Sequence, residues 1–211
     1  MRIIAGSKRG MKLLSPKGRD SRPITDRVKE SLFSVLNNYD LPERKMVADV
    51  FSGVGSLGLE SLSRGAAFVT FVEKDVRMVG VLRRNIASAG FAESSRVISA
   101  DAYRVGAPGL DSQRLYELVF VDPPYAHSRE FSGESRLGRL LESLPEYSAV
   151  GAVVVFLQLM DFIHCASWRD GVSKLSDADL GRIRGPRDSA AGRRTAPARV
   201  LRMGRAPPGE S

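Results

Sequence analysis

Residues 46–58 read Met-Val-Ala-Asp-Val-Phe-Ser-Gly-Val-Gly-Ser-Leu-Gly, and this stretch decides the fold of the chain. Its first six residues are a short, mainly apolar run that is typical of a buried strand. The glycines at 53, 55 and 58 permit a tight turn and let a ligand approach the backbone where the next helix begins. The stretch therefore predicts a strand, a ligand-binding loop and a helix that continues through Arg64, which together form one unit of an α/β sheet.

The same alternation of apolar runs and helical patterns continues on both sides of this unit. Apolar residues from Val28 to Leu36 recur at helical spacing, and Thr25 or Asp26 can cap that helix. Further strands are predicted at 68–72, 97–99, 118–121 and 150–157, and further helices at 75–89 and 134–144. Because strands that alternate with helices imply parallel crossovers, we expect a doubly wound, Rossmann-like α/β sheet.

Charge is distributed unevenly along the 211 residues, whose net charge is +8. Residues 1–29 carry nine Lys or Arg against two acids, residues 180–211 carry eight Arg against two acids, and the stretch between them is acidic. Basic segments on an acidic body indicate a polyanionic partner, most often nucleic acid, although a solubilising tail has the same composition.

This charge pattern suggests three parts. We expect a basic, extended N-terminal arm over residues 1–23 and one α/β domain over residues 24–180. Residues 181–211 are rich in Arg, Gly, Ala and Pro and have few large apolar side chains, so we expect a disordered tail.

Several functional classes are disfavoured by composition. The single cysteine, Cys165, excludes an internal disulfide and a Cys-rich metal site, which fits a reducing, cytoplasmic setting. No signal peptide is expected, and the longest apolar stretch, 149–163, is too short and too interrupted to cross a membrane. His127 and His164 are isolated, so no metal site is expected. A monomer is assumed, because the sequence carries no sign of oligomeric state.

Asp122-Pro123-Pro124-Tyr125 follows the apolar run that ends at Val121. The prolines end the strand, and Pro123 holds Asp122 in an extended conformation. The Asp122 carboxylate and the Pro123 carbonyl can then accept the two N–H bonds of an exocyclic amine, while Tyr125 stacks on the ring that bears it. An ordinary turn after a core strand can have the same sequence.

Three acids, Asp49, Glu73 and Asp101, lie within or after three successive predicted strands. The glycine spacing with Glu73 also suits a dinucleotide, but Asp49 would repel a pyrophosphate and attract an ammonium group. S-adenosylmethionine fits, since it has a sulfonium, an amino-acid end and a ribose but no phosphate. We assign Asp49 to its ammonium, Glu73 to its ribose and Asp101, with Ala102 beside it, to its adenine. Each acid can alternatively serve as a helix cap.

Four blocks of the chain resemble the RsmD family, the bacterial 16S rRNA guanine-N2 methyltransferases, within the class I S-adenosylmethionine-dependent methyltransferases. The blocks are residues 2–10, residues 22–33, residues 49–60 and residues 121–125. The second block is the most specific to the family, and the resemblance covers about residues 1–157. It implies a 16S rRNA substrate, either naked or within a 30S subunit or assembly intermediate.

The resemblance also implies roles for individual residues. In the family the block around Thr25 lies over the methionine end of the cofactor, and the opening arm contacts rRNA. The cofactor-binding residues would be Thr25, Arg27, Asp49, Phe51, Ser52, Gly53, Gly55, Gly58, Glu73, Lys74, Asp101, Ala102 and Asp122. The catalytic residues would be Asp122, Pro123, Pro124 and Tyr125. The RNA-binding residues would be Arg2, Lys8, Arg9, Lys12 and Arg22.

Three alternatives remain beside this interpretation. A DNA adenine-N6 methyltransferase would use the same Asp-Pro-Pro-Tyr chemistry, but no large target-recognition domain is recognisable. A non-catalytic RNA-binding factor would not need residues 122–125 intact, and an oxidoreductase is disfavoured by Asp49. The chain departs from the family after Phe156, where family members usually add two strands and no convincing pair is found here.

Overall fold

The computed structural model describes residues 1–16, 24–109, 114–124 and 135–157, and the backbone of three short strands between residues 164 and 202. The helices are α1 (Asp26–Asn37), α2 (Ser56–Ser63), α3 (Val76–Ala89), α4 (Ala102–Val105) and α5 (Arg136–Ser143). The strands are β1 (Met46–Val50), β2 (Phe68–Glu73), β3 (Ser95–Ser99), β4 (Tyr116–Val121), β5 (Ser148–Leu157), β6 (His164–Trp168), β7 (Val172–Lys174) and β8 (Ala198–Arg202). Every element predicted before residue 157 is confirmed, with bounds that move by one or two residues at most ends, and α4 is an addition.

The sheet has the order β3-β2-β1-β4-β5-β8-β6-β7. Strands β1 to β5 pair with one another in parallel, which confirms the doubly wound α/β fold. The order of the chain reverses between β1 and β4, and ligands bind beyond the carboxyl ends of the strands at such a switch point. The loop after β1 and the Asp122 block after β4 both lie at this point.

Two apolar layers cover the sheet. Alternate residues of the central strands, such as Val47 and Phe120, face one layer that also contains Leu32, Leu59 and Leu82 of α1, α2 and α3. Residues on the opposite face pack with α4 and α5. The parallel strands are therefore apolar on both faces, which explains why their sequences read as continuous rather than alternating runs.

Residues 1–16, the N-terminal segment, are packed on the first of these layers. Arg2 and Lys12 form an antiparallel bridge, and Ile3 is fully buried. The amides of Ile4 and Ala5 donate hydrogen bonds of 2.7 and 3.0 Å to the Glu60 carboxylate on α2. The prediction of an extended arm is therefore wrong for residues 1–16. Tertiary hydrogen bonds fix the position of this segment, and such contacts leave no local periodicity by which they could be predicted from the sequence.

Glu60 is the centre of a buried ionic network. Its carboxylate also accepts a 2.8 Å hydrogen bond from Arg64 Nε and pairs with Lys29 Nζ at 3.3 Å. Lys29 Nζ in turn donates to the Arg2 carbonyl at 2.6 Å and to Ser56 Oγ at 3.3 Å. Burial lowers the pKa of Lys29, and Glu60 opposes that shift. The network joins the N-terminal segment to α1 and to the start of α2.

Three strands follow β5, where sequence patterns predicted no convincing pair. β6 and β8 both pair antiparallel with β5, and β7 pairs with β6. β5 is ten residues long, and a long edge strand leaves backbone groups that further strands can pair. The expectation of a disordered tail over residues 181–211 is wrong for residues 198–202, which form β8, and the rest of that tail lies outside the described residues.

Candidate active site

The loop after β1 has the strained backbone that its glycines predict. Phe51, Gly53 and Gly55 have φ angles of 66°, 54° and 87°. A Cβ at Gly58 would lie 2.3 Å from Phe71 Cε1, so this glycine is needed for packing of α2 on β2. A Cβ at Gly53 would meet no atom within 4 Å, so this part of the loop faces open space that a ligand can occupy.

Asp49 lies beneath this loop and is 2% exposed. Its Oδ2 accepts a 2.9 Å hydrogen bond from the amide of Gly58, in the first turn of α2. Burial raises the pKa of Asp49 to about 7, and the nearby charges of Asp122 and Glu73 act in the same direction. A cationic group would relieve this cost, so the environment of Asp49 fits the ammonium of S-adenosylmethionine.

Glu73, at the end of β2, faces the same loop. Its Oε2 accepts a hydrogen bond of 2.9 Å from the Gly53 amide, and its Oε1 accepts one of 2.8 Å from the Asp75 amide. A carboxylate has about four lone-pair positions, so acceptors remain for the two hydroxyls of a ribose. Lys74, next in sequence, is exposed.

Asp101 caps α4, since its Oδ1 accepts a 3.1 Å hydrogen bond from the Tyr103 amide. Its Oδ2 pairs with Arg136 Nη2 at 3.3 Å. Asp101 therefore serves as a helix cap, which was the alternative to a role in cofactor binding. A contact with adenine would have to be made by its carboxylate in addition to the capping hydrogen bond. Ala102 is buried.

Two residues that sequence reasoning missed complete this side of the site. The rings of Phe51 and Tyr103 lie 4.9 Å apart at an angle of 58°, and the Arg136 guanidinium lies 4.9 Å from the centre of the Tyr103 ring. Tyr103 could have been found from its position two residues after Asp101. Arg136 carries no such signal, because the fold brings it from α5.

The Asp122 block lies beside the cofactor loop because β4 pairs with β1. Val50 is the register partner of Val121, and the Asp122 amide donates to the Val50 carbonyl at 3.2 Å. Pro123 is buried, whereas Asp122 and Pro124 are exposed. Desolvation of its carboxyl group raises the pKa of Asp122 to about 7.

The remaining predicted residues differ in burial and in their partners. Ser52 is buried and its Oγ donates to the Val72 carbonyl, while Thr25 Oγ1 caps α1 by accepting from the Val28 amide. Arg27, Lys8, Arg9 and Lys12 are exposed, and Arg2 pairs with Asp26 at 2.8 Å. Tyr125 and Arg22 lie outside the described residues.

Neither a cluster of metal-ligating side chains nor a membrane-spanning helix is found among the described residues. Within the described parts of the chain, there is no group of three or more His, Cys, Asp or Glu side chains that could hold a metal ion. Among those same residues, we find no helix with the length and hydrophobicity needed to cross a membrane.

Solved structures share this architecture. The Escherichia coli protein yhhF superposes with a TM-score of 0.62 at 34% identity, over 76% of this chain and 82% of that one. The Thermus thermophilus protein TTHA0928 also gives 0.62, at 26% identity, over 75% and 86% of the two chains. With the glycine loop, the acids at the strand ends and the Asp-Pro-Pro corner, the fold defines a class I S-adenosylmethionine-dependent methyltransferase.

Within this class the chain belongs to the family described as Conserved hypothetical protein 95, whose model matches residues 1–147. YlbH of Bacillus subtilis (strain 168) is 34% identical over 147 residues, which are 70% of this chain and 75% of that protein. Ribosomal RNA small subunit methyltransferase D of Escherichia coli (strain K12) is 39% identical over 129 residues, which are 59% of this chain and 60% of that protein. The resemblance to the RsmD family is thereby confirmed.

Proposed function

We propose that the chain transfers a methyl group from S-adenosylmethionine to the exocyclic N2 amine of a guanine in 16S rRNA. One observation carries the proposal: the strand register places Asp122-Pro123-Pro124 directly beside the cofactor loop. Hydrogen-bond acceptors for an aromatic amine and carboxylates for a cationic methyl donor would thus act together at one switch point. The name of the Escherichia coli relative supports the rRNA substrate.

The residues of the loop hold the donor. The Asp49 carboxylate would bind its ammonium group, and the Glu73 carboxylate would bind its ribose, while Phe51 and Tyr103 lie on the side where Asp101 is placed. Thr25 and Arg27, at the start of α1, would cover its methionine end, as in the resembling family. S-adenosylmethionine supplies an electrophilic methyl group on a sulfonium.

The Asp-Pro-Pro corner would activate the acceptor. Guanine N2 is a poor nucleophile, because its lone pair is delocalised into the ring. The Asp122 carboxylate and the Pro123 carbonyl accept its two N–H bonds and hold the nitrogen with its lone pair toward the donor. As the N–CH3 bond forms and the S–CH3 bond breaks, the nitrogen loses a proton, which Asp122 or water accepts. Tyr125 would stack on the base after it leaves its RNA stack.

The substrate would be 16S rRNA in the cytoplasm, either naked or within a 30S particle, and the enzyme would act as a monomer without contact to a membrane. The basic side chains of the N-terminal segment, Arg2, Lys8, Arg9 and Lys12, and Arg22 beyond it, would contact rRNA phosphates. This assignment is supported by the four cations and the absence of acids in residues 1–16.

Labelled methyl transfer tests the proposal. The full chain is incubated with radiolabelled S-adenosylmethionine and, separately, with 30S particles that lack the modification, deproteinised 16S rRNA and DNA. We expect label only in N2-methylguanosine from rRNA. Label in N6-methyladenine from DNA, or no transfer to any substrate, would contradict the proposal.

A further inference from the structure

We propose that helix α3 and the N-terminal segment together form one RNA-docking face, which extends from the candidate active site along the outside of the domain. The face consists of Lys8, Arg9 and Lys12 from the N-terminal segment and Arg77, Arg83 and Arg84 from α3. This inference deepens the proposed function and rests on it, because it states how the RNA substrate is held outside the site.

Composition makes α3 a strongly cationic surface. Its 14 residues include three arginines and no acid, and all three arginines are exposed. Arg77 and Arg84 are seven residues apart, so they lie on the same side of the helix and about 10 Å apart along its axis. Arg77 contacts Asp75 at 3.7 Å across a solvent-exposed gap, a contact of little strength. Arg83 and Arg84 form no ion pair with any described residue.

Specific contacts dock the N-terminal segment against this helix. The Asn85 side chain accepts a 2.8 Å hydrogen bond from the Leu14 amide and donates one of 3.1 Å to the Leu14 carbonyl. Just beyond the carboxyl end of the helix, Lys8 Nζ lies 6.0 Å from the centre of the Phe91 ring. Cations from two distant parts of the sequence therefore belong to one packed unit, because a buried asparagine joins the N-terminal segment to α3.

One end of the docking face adjoins the candidate active site. α3 begins three residues after Glu73, so its first turn lies at the edge of the sheet that carries the candidate site. Asn85 Nδ2 also donates to the carbonyl of Val54, within the cofactor loop, at 3.1 Å. RNA bound along α3 and the N-terminal segment would therefore lead into the site.

A polyanion with evenly spaced charges fits this face better than an acidic protein does. Arg77, Arg83 and Arg84 lie along the four turns of α3, the other three cations lie on the segment docked against it, and the acids Asp75 and Glu93 lie beyond the two ends of the helix. Exposed Val76 and Leu14 add apolar surface against which a sugar or base can pack. Regularly spaced phosphates with intervening apolar groups are the signature of a nucleic-acid strand.

Binding of deproteinised 16S rRNA to the full chain, measured by filter retention over a range of KCl concentrations, tests the face. The variants are Arg83→Gln, Arg84→Gln and their combination, with Arg104→Gln as the matched control. Arg104 is an exposed arginine on α4, in the opposite layer of the domain. We expect each α3 substitution to reduce the slope of log Kd against log salt by about 1 and the combination by about 2. Arg104→Gln should leave the slope unchanged.

Kinetics and cofactor binding separate this proposal from the proposed function. The combined variant should raise KM for rRNA about tenfold or more and leave kcat and the affinity for S-adenosylmethionine unchanged. If the wild-type chain binds rRNA with the expected slope but transfers no methyl group, the proposed function fails and the docking face stands. If the wild-type chain transfers methyl and both α3 variants behave like Arg104→Gln, the docking face is refuted. A loss of affinity for 30S particles alone would assign the face to a ribosomal protein and also refute the RNA assignment.

Discussion

Replacing Asp49 with Asn should make the ligand-free protein more stable and the cofactor complex weaker. Asp49 is 2% exposed, and burial raises its pKa from the ordinary 3.8 to about 7. Each pKa unit corresponds to about 1.36 kcal/mol, so the ionised carboxylate costs the folded chain about 4 kcal/mol above pH 7. Asparagine removes the charge and keeps an oxygen that can accept the hydrogen bond from the Gly58 amide.

The sign of the pH dependence follows from this shift. Because the folded pKa is raised, the folded chain binds the proton more tightly than the unfolded chain does. The contribution of Asp49 to stability is therefore most favourable below about pH 4 and is lost as pH rises through 7. The difference in free energy of unfolding between Asp49→Asn and the wild type should grow from near zero at about pH 4 to about 4 kcal/mol at about pH 8.

Urea denaturation of the ligand-free chain between about pH 4 and about pH 8.5 measures this difference. Asp40→Asn is the matched control, since Asp40 is exposed and asparagine tolerates its φ of 55°. The control should show a constant difference across the range. A difference for Asp49→Asn that does not change with pH would refute the reasoning about the buried carboxylate.

Cofactor binding provides the opposite arm of the same test. Calorimetry should show affinity for S-adenosylmethionine reduced about 10- to 100-fold in Asp49→Asn, the typical value of a hydrogen bond to a charged partner. Wild-type binding below about pH 7 should also release a proton, visible as a dependence of the heat on the buffer. Unchanged affinity would remove Asp49 from the ammonium site.

Three further outcomes are expected. Asp122→Asn should reduce kcat for methyl transfer by about 100-fold or more and leave the calorimetric affinity for S-adenosylmethionine intact, and an equal loss of both would contradict its role. Glu60→Gln should lower the free energy of unfolding, measured by urea denaturation, by about 3–5 kcal/mol, because Lys29 would be left as a buried unpaired cation. A loss below about 1 kcal/mol would show that the network is dispensable. Gly58→Ala should cost about 1–3 kcal/mol of stability because the new methyl group clashes with Phe71. Gly53→Ala, whose methyl group meets no neighbour, should cost about 1 kcal/mol of stability and mainly weaken cofactor binding. Equal effects of the two variants on stability and on cofactor binding would argue against a ligand-facing loop.

Local patterns were sufficient to predict the first five strands and most of the helices that pack on them. The run from Met46 to Val50 is apolar because both faces of a central parallel strand are buried, so the strand is visible in the sequence itself. Gly90, with a φ of 73°, ends α3 where the sequence predicted. The acids at 49, 73 and 101 were predicted as a set, because parallel strands bring their carboxyl ends to one edge, and Asp122 was predicted separately at the end of the next strand.

Other features depend on contacts that no local pattern reveals. Residues 1–16 have no helical or strand periodicity, and their position is fixed by Glu60 and Asn85 in distant helices. Arg136 reaches the site only because α5 packs near α4. β6 to β8 are short, and their order depends on pairing with the long strand β5 rather than on their own composition.

The Glu60 network also has a consequence for the order in which the protein matures. The amides of Ile4 and Ala5 are synthesised before Glu60, their hydrogen-bond acceptor, which arrives more than fifty residues later and is useful only when α2 has formed. Until then the basic segment has no fixed position, and Asn85, which holds Leu14, comes later still. The cationic surface on which RNA would rest is therefore assembled only after the cofactor loop at residues 53–58 has been made. A shorter, partly synthesised chain would have neither the organised surface nor the methyl-donor site that this surface serves.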